Sequence, residues 1–174
     1  MTYRFARQED LPRLLNMVEQ AKASFKARGI NQWQKGDPDG PGISDAISRE
    51  YIHVLEQDGQ AAGMVTIMPG PEASYAGIDG KWLNDEPYVA FHRVCVEESC
   101  KGQGLAAQLF ARSEEYAGQE GYTNIRVDTH PDNISMQRAL EKSGYVCCGR
   151  LVLAEGTEIG DPRLAYHKVL PPLC

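Results

Sequence analysis

A chain of 174 residues with 42% hydrophobic content has the length for one domain with a sizeable core. Its net charge of −6 and pI near 5.2 leave no basic stripe to neutralise phosphates, which argues against a nucleic-acid partner and fits a cationic small molecule or peptide. No apolar run approaches the ~18 residues of a membrane helix. In chain order, YRFAR reads as a short strand, and Asp10 is placed to cap a helix whose Leu11, Leu14, Leu15, Val18, Ala21 and Phe25 recur at helical spacing. RGINQWQKGDPDGPG is loop by its Gly, Pro and Asp content, and ISDAISRE reads as a short helix. YIHVLEQ and AAGMVTIMP are strand-like runs around Asp58-Gly59, a hairpin signal because that pair accepts positive φ.

From Gly70 to Pro87 no period is visible, although Tyr75, Ile78, Trp82 and Leu83 are bulky. A loop of that length in a compact domain is commonly a functional wall. YVAFHRVCV is the next strand, followed by a helix with Leu105, Ala106, Leu109, Phe110 and Ala117 on its buried stripe. TNIRVDTH is a strand closed by Pro131; Asp132 or Asn133 caps a helix through Met136, Ala139 and Leu140 that Gly144 ends. YVCCGRLVL and RLAYHKVL are the last strands. The expectation is an α/β chain, a single domain over residues 1–174, with a mixed central sheet of about seven strands flanked by helices.

Five cysteines (Cys95, Cys100, Cys147, Cys148 and Cys174) form neither a CxxC pair nor a metal-ligand spacing. MTYRFARQEDLPRLL lacks the charged, apolar and cleavage regions of a signal peptide. A reduced cytoplasmic protein without structural disulfides or metal is expected; a homodimer stays open.

The most informative stretch is VCVEESCKGQGLAA, residues 94–107: a strand, a polar loop, two glycines and the first turn of a helix. Gly102 and Gly104 let the backbone approach a ligand, and the first N–H groups of the helix face an anion. The P-loop pattern is absent. A dinucleotide fingerprint is formally present in Gly102, Gly104 and Ala107, with Asp128 closing the next strand. Against it stand the long loop from Glu97 to Lys101 before the first glycine and the short remainder of chain after Ala107.

KGQGLA, preceded by HRVCV and followed by HPDNISMQRALEKSGY, resembles the GNAT superfamily of N-acetyltransferases. Lys101-Gly102-Gln103-Gly104-Leu105-Ala106 fits the family's Gln/Arg-x-x-Gly-x-Gly/Ala signature, with Lys in the first place as a departure. The resemblance runs over the whole chain; GINQW, DTHPDN and RLAYHK also resemble stretches of bacterial members whose acceptors are unassigned. It implies that acetyl-CoA is the co-substrate, its pyrophosphate held by the amides of Lys101, Gly102, Gln103, Gly104, Leu105 and Ala106. Pantetheine would lie along the main chain of Val94, Cys95 and Val96, with Asn133 as a side-chain contact or a plain helix cap.

The family's usual thiolate-protonating tyrosine falls on Leu140, so that acid is missing; Tyr145 and Tyr166 are the substitutes considered. An amine must lose a proton before attack. His92, two residues before Val94 and so on the same face of a regular strand, is the first choice of base, and an imidazole's ordinary pKa lies near ~6.5. His130 is the second, and attack by an already neutral amine, with water carrying the proton, stays open; Glu97 and Glu98 are read as a solvated loop edge. Trp33, Tyr88 and Trp82 are expected acceptor contacts, in segments made acidic by Asp37, Asp39, Asp79, Asp85 and Glu86. The acceptor is then a primary amine of a small molecule or peptide, and a cationic one is favoured. A non-catalytic acyl-CoA-binding module and, less favoured, a dinucleotide oxidoreductase are the alternatives.

Overall fold

The computed structural model describes residues 1–173; Cys174 lies outside them. The chain divides into two compact units, one built from residues 1–67 and 92–113, the other from 68–91 and from Glu114 onward.

In the first unit β1 (Thr2–Phe5), β2 (Ile52–Gln57) and β3 (Gln60–Pro69, to Ile67 in this unit) pair antiparallel in that order. The β2–β3 turn is made by Asp58 and Gly59 at φ 50° and 78°, as the Asp-Gly pair predicts. Two helices, α1 (Leu11–Ala27) and α2 (Gly40–Ser48), turn Leu14, Met17, Val18, Ile43, Ala46 and Ile47 into a shared core. That core also takes in Ile52, Val54, Ala61, Met64 and Cys95. Each large aliphatic side chain buried there contributes about 1.5–3 kcal/mol.

Asp10 does not cap α1. It is itself helical, and its carboxylate accepts from Arg7 N–H at 2.7 Å and from both terminal nitrogens of Arg4 at 2.8 and 3.0 Å. The helix is entered through a short 3-10 turn, Gln8–Asp10, which Asp10 closes from behind. α2 begins earlier than ISDAISRE suggested, because Asp39 Oδ1 accepts from Gly42 N–H at 2.8 Å and Pro41 sits in the first turn.

In the second unit the order β6 (Asn124–Thr129), β8 (Pro162–Val169), β7 (Val146–Val152), β4 (Asp79–Gly80) is antiparallel throughout. The helix α5 (Ile134–Lys142) follows β6, and α3 is a single turn, Ala73–Ala76. β5 (Val89–Val96) begins here, parallel to β6 with Val89 opposite Ile125 and Phe91 opposite Val127, and its last five residues belong to the first unit. α4 (Leu105–Gln119) is likewise shared by the two units.

The sheet is mixed and eight-stranded, β1-β2-β3-β5-β6-β8-β7-β4, and the α/β class stands. The strand beyond the expected seven is β4, two residues long, inside the segment whose sequence shows no period. No helix among the described residues is long and apolar enough to cross a membrane.

Candidate functional site

β5 is not a regular strand. Arg93 has φ 53°, a left-handed residue in the middle of the run, and the strict alternation of faces stops there. His92 and Val94 flank it, so their spacing of two does not place them on one face as it would in an unbroken strand. The Arg93 guanidinium reaches the start of α2, where Asp37 and Asp39 favour its charge against the desolvation that lowers its pKa. Cys95, after the break, is buried, and burial pushes its thiol up to about 12, so it stays an inert apolar group.

The loop after β5 is built from α1. Glu97 N–H donates to Ala62 O at 2.8 Å, which fixes the end of β5 against β3. The Glu97 side chain is buried, not the solvated edge its position suggested, and Oε1 accepts from Gln20 Nε2 at 3.0 Å. Arg13 Nη1 lies 3.5 Å from the other carboxylate oxygen. A 3-10 turn, Glu98–Cys100, follows, with Cys100 N–H on Glu97 O at 2.9 Å and Lys101 N–H on Glu98 O at 3.2 Å. The Lys101 amide is therefore used internally, and the run open to a ligand starts one residue later than expected.

Among the described residues the next amide with a partner is Gln108, on Gly104 O at 3.2 Å. Between them Gly102 and Gly104 sit at φ 79° and 74°, and a Cβ on either would meet nothing within 4 Å. Glycine is thus required by backbone conformation, and the space beside it is open. Lys101, Gly102, Gln103 and Gly104 are exposed, while Leu105, Leu109 and Phe110 bury the inner side of α4. A run of unpaired N–H groups ending on a helix N-terminus can hold an anionic group such as a diphosphate.

In the second unit Asn133 is buried and caps α5, its Oδ1 accepting from Met136 N–H at 3.3 Å and Ser135 Oγ at 3.1 Å. His130 belongs to the same turn: its carbonyl accepts from Asn133 N–H at 2.9 Å and its Nδ1 accepts from Asp132 N–H at 3.0 Å. Burial lowers the His130 pKa, and Arg163 adds to the effect. A base working through Nδ1 would first have to give up that bond. Leu140 is fully buried in the core. Tyr145 is buried with Glu114 and the Lys168 ammonium beside it, and burial, then Glu114, raises its pKa far above the ordinary value. Tyr166 is buried too and pushed up to about 12 by burial.

Trp82 and Tyr88 are core residues. The Arg126 guanidinium lies between their rings, 4.3 and 4.1 Å from the two centroids. It also donates to Asn84 O at 2.8 Å, so Arg126 rivets the 82–88 segment to β6. His167 assists by accepting from Leu83 N–H at 3.1 Å. A second buried network joins Tyr75 Oη to Asp128 at 2.7 Å and Arg163 to Asp128 and Glu158 at 3.7 and 2.5 Å. Trp33, in the first unit, is half-buried at φ 58° with its ring edge-on to Phe25, 5.5 Å away.

Sequence reading missed Gln20, Arg13, Arg126 and Arg163. The signal available was a charge between apolar neighbours in a strand, which at Arg126 and Arg163 demands a partner. Among the acidic residues of the expected acceptor segments, Asp37 and Asp39 lie near enough to favour the Arg93 charge, and Asp85 that of Arg126. Asp79 and Glu86 are exposed.

Residues 14–145 match the acetyltransferase (GNAT) family. An uncharacterized N-acetyltransferase of Bacillus subtilis, YesJ, is 26% identical over 147 residues, covering 81% of this chain and 79% of its own. The crystal structure of a GNAT-family acetyltransferase from Streptococcus agalactiae superposes with a TM-score of 0.87 at 34% identity, covering 98% of this chain and 95% of that one. At 17% identity, an acetyltransferase fold from Salmonella typhimurium solved with acetyl-CoA matches with a TM-score of 0.69, covering 100% and 96% of the two chains. The strand, the open glycine loop and the α4 N-terminus are thus set in a family fold: the chain belongs to the GNAT family of acetyltransferases.

Proposed function

We propose that the protein transfers the acetyl group of acetyl-CoA to a primary amine of a small molecule or peptide, by direct attack of the amine on the bound thioester. The observation that carries this reading is the run of amides from Gly102 to the first turn of α4 that have no backbone partner among the described residues, beside two glycines whose Cβ side is open. Main-chain groups of Val94, Cys95 and Val96 are the proposed pantetheine contacts. Asn133, which caps α5 through its Oδ1, is the proposed side-chain contact to the coenzyme. The Salmonella fold solved with acetyl-CoA supports the choice of donor.

Chemically, the amine must be deprotonated, the carbonyl oxygen stabilised as it gains charge, and the thiolate released. A main-chain N–H of the donor strand suits the second task. His92 is the proposed base: it is half-buried, on β5, and adjacent to the break at Arg93. Tyr145 and Tyr166 hold their protons tightly, and Leu140 offers none, so the thiolate is proposed to leave without a dedicated tyrosine. A cationic amine is the first acceptor class to test, on the strength of the net charge and the exposed Asp79 and Glu86.

Acetyl-CoA and CoA are expected to raise the melting temperature, with NADPH giving no shift. At 100 times Kd a ligand stabilises by about 2.7 kcal/mol, a few degrees for a chain of this size. CoA thiol release across cationic, neutral and anionic amines then identifies the acceptor. No shift with saturating acetyl-CoA would end this reading, and equal turnover of cationic and anionic amines would remove the charge preference.

His92→Gln is expected to lower kcat/KM about 100-fold near neutral pH and abolish the acidic limb of the pH–rate profile, with acetyl-CoA affinity unchanged. A rate within threefold of wild type assigns the proton to another carrier.

A further inference from the structure

The loop that offers its amides to the diphosphate does not hold its own shape by internal bonds alone. Its first residues are gripped by side chains of α1, Gln20 above all. Gln20 uses both ends of its amide on consecutive loop residues: Nε2 donates to Glu97 Oε1 at 3.0 Å, and Oε1 accepts from Glu98 N–H at 3.0 Å. Arg13, two helical turns earlier, gives its Nε to Ala61 O at 3.0 Å and brings Nη1 within 3.5 Å of Glu97 Oε2. Ser99 Oγ also reaches Glu97 Oε1, at 3.5 Å. The buried Glu97 carboxylate is therefore held by its backbone on β3 and by its side chain on α1.

This grip fixes where the free amides begin. Once Glu98 N–H is on Gln20 and Cys100 and Lys101 N–H are closed into the 3-10 turn, the chain enters Gly102 from a defined direction. Both glycines have positive φ and are exposed with an open Cβ side, so no side chain of their own sets the loop's course. Without the grip the loop samples several courses, and only one of them points its amides at the same anion. Ordering it again on binding costs affinity.

We infer that Gln20 is a positioning residue for coenzyme A recognition, acting through Glu97 and the Glu98 amide on the diphosphate-binding run. The inference rests on the donor reading above. It concerns donor affinity alone: Gln20 touches no reacting atom, and its role is confined to the part of the donor that carries the diphosphate.

The experiment compares wild type, Gln20→Leu, Gln20→Glu and the double variant Gln20→Glu/Glu97→Gln. Gln20→Leu removes both bonds at nearly constant volume. Gln20→Glu keeps an acceptor for Glu98 N–H but sets a second carboxylate against Glu97. The double variant exchanges donor and acceptor and restores a neutral–charged pair. Titration with CoA gives affinities, and turnover is measured with acetyl-CoA and with S-acetylpantetheine, which lacks the diphosphate.

Expected for Gln20→Leu is about a tenfold weaker CoA, the scale of one hydrogen bond to a charged group. Its kcat at saturating acetyl-CoA and its kcat/KM with S-acetylpantetheine should stay within twofold of wild type. Gln20→Glu should be weaker still, and the double variant should recover at least half of the loss on a logarithmic scale. If wild type binds CoA and Gln20→Leu binds it within twofold, the inference is wrong. It is also wrong if S-acetylpantetheine turnover falls as far as acetyl-CoA turnover, since that marks a general structural role. If wild type itself fails to bind CoA, the donor reading fails first and takes the inference with it.

Discussion

Gly104→Val is expected to weaken acetyl-CoA binding by 30-fold or more while lowering the melting temperature only a few degrees; Gly102→Ala follows in the same direction, about tenfold. Both residues have φ in the left-handed region, where an L side chain costs roughly 1–2 kcal/mol. In the free protein much of that strain is relieved by letting an exposed loop relax, because both glycines lie at the surface with open space on the Cβ side. In the complex the loop must return to the conformation that aims its amides, and the added Cβ projects into the space left for the ligand. The strain therefore appears in binding more than in stability.

Gly121 supplies the control. It has φ 89°, a Cβ there would also meet nothing within 4 Å, and it follows the other end of α4. Gly121→Ala carries the same backbone strain and should leave acetyl-CoA affinity within twofold. Thermal melts and isothermal titration of the three variants decide the matter. Equal losses of affinity at Gly104 and Gly121, or none at Gly104, would remove the loop from the donor site.

The elements legible in the sequence were those whose signal is local. The α1 stripe through Leu14, Val18 and Phe25, the Asp58-Gly59 turn and the stop at Gly144 (φ 87°) each declare themselves within a few residues. β4 does not, because it exists by pairing with β7: Gly80 approaches Gly149 so closely that a Cβ on it would collide with Cys148 O. The left-handed Arg93 carries no local mark either, since arginine has no preference for that conformation.

The site divides in the same way. The glycine loop was visible by spacing, and its family resemblance identified the fold. Glu97 looked solvated because its partner, Gln20, lies 77 residues earlier on another element. Trp82 and Tyr88 looked like acceptor contacts because aromatics in an irregular segment suggest a binding wall. Their burial around Arg126 shows instead how that segment is held down. Residue type forecasts what a side chain can do, and the distant partner decides whether it is available to do it.

The fold should lose stability steeply on mild acidification, through its buried histidines. His53 is buried beside Tyr3, stacked at 5.3 Å, and Phe5 at 4.5 Å; burial lowers its pKa to about 4. His167 is fully buried, with Nδ1 accepting from Leu83 N–H and Nε2 facing Asn124 Oδ1 at 2.9 Å. Burial, then the nearby Arg126 charge, lowers it to about 4 as well.

In the unfolded chain both rings have pKa near ~6.5. Between about pH 6.5 and 4 the unfolded state therefore binds more protons than the native state, and stability falls as pH falls through that window. Each ring is worth about 3 kcal/mol at most, and about 2 kcal/mol once water reaching the charged ring is allowed for. His130, also lowered, acts in the same direction. Asp10 acts later, since Arg4 holds its carboxyl below the usual range and that contribution goes only as pH drops below about 3.9.

Denaturant titrations at pH 7 and pH 4.5 should differ by roughly 3–4 kcal/mol. His53→Phe retains the stack between Tyr3 and Phe5 without a titrating group, and should recover close to half of the difference. His167 has polar partners on both nitrogens, so its replacement by an apolar residue should lower stability at pH 7 and flatten the acid slope together. A slope unchanged in His53→Phe would show that the ring is hydrated in the native state and that the acid sensitivity arises elsewhere.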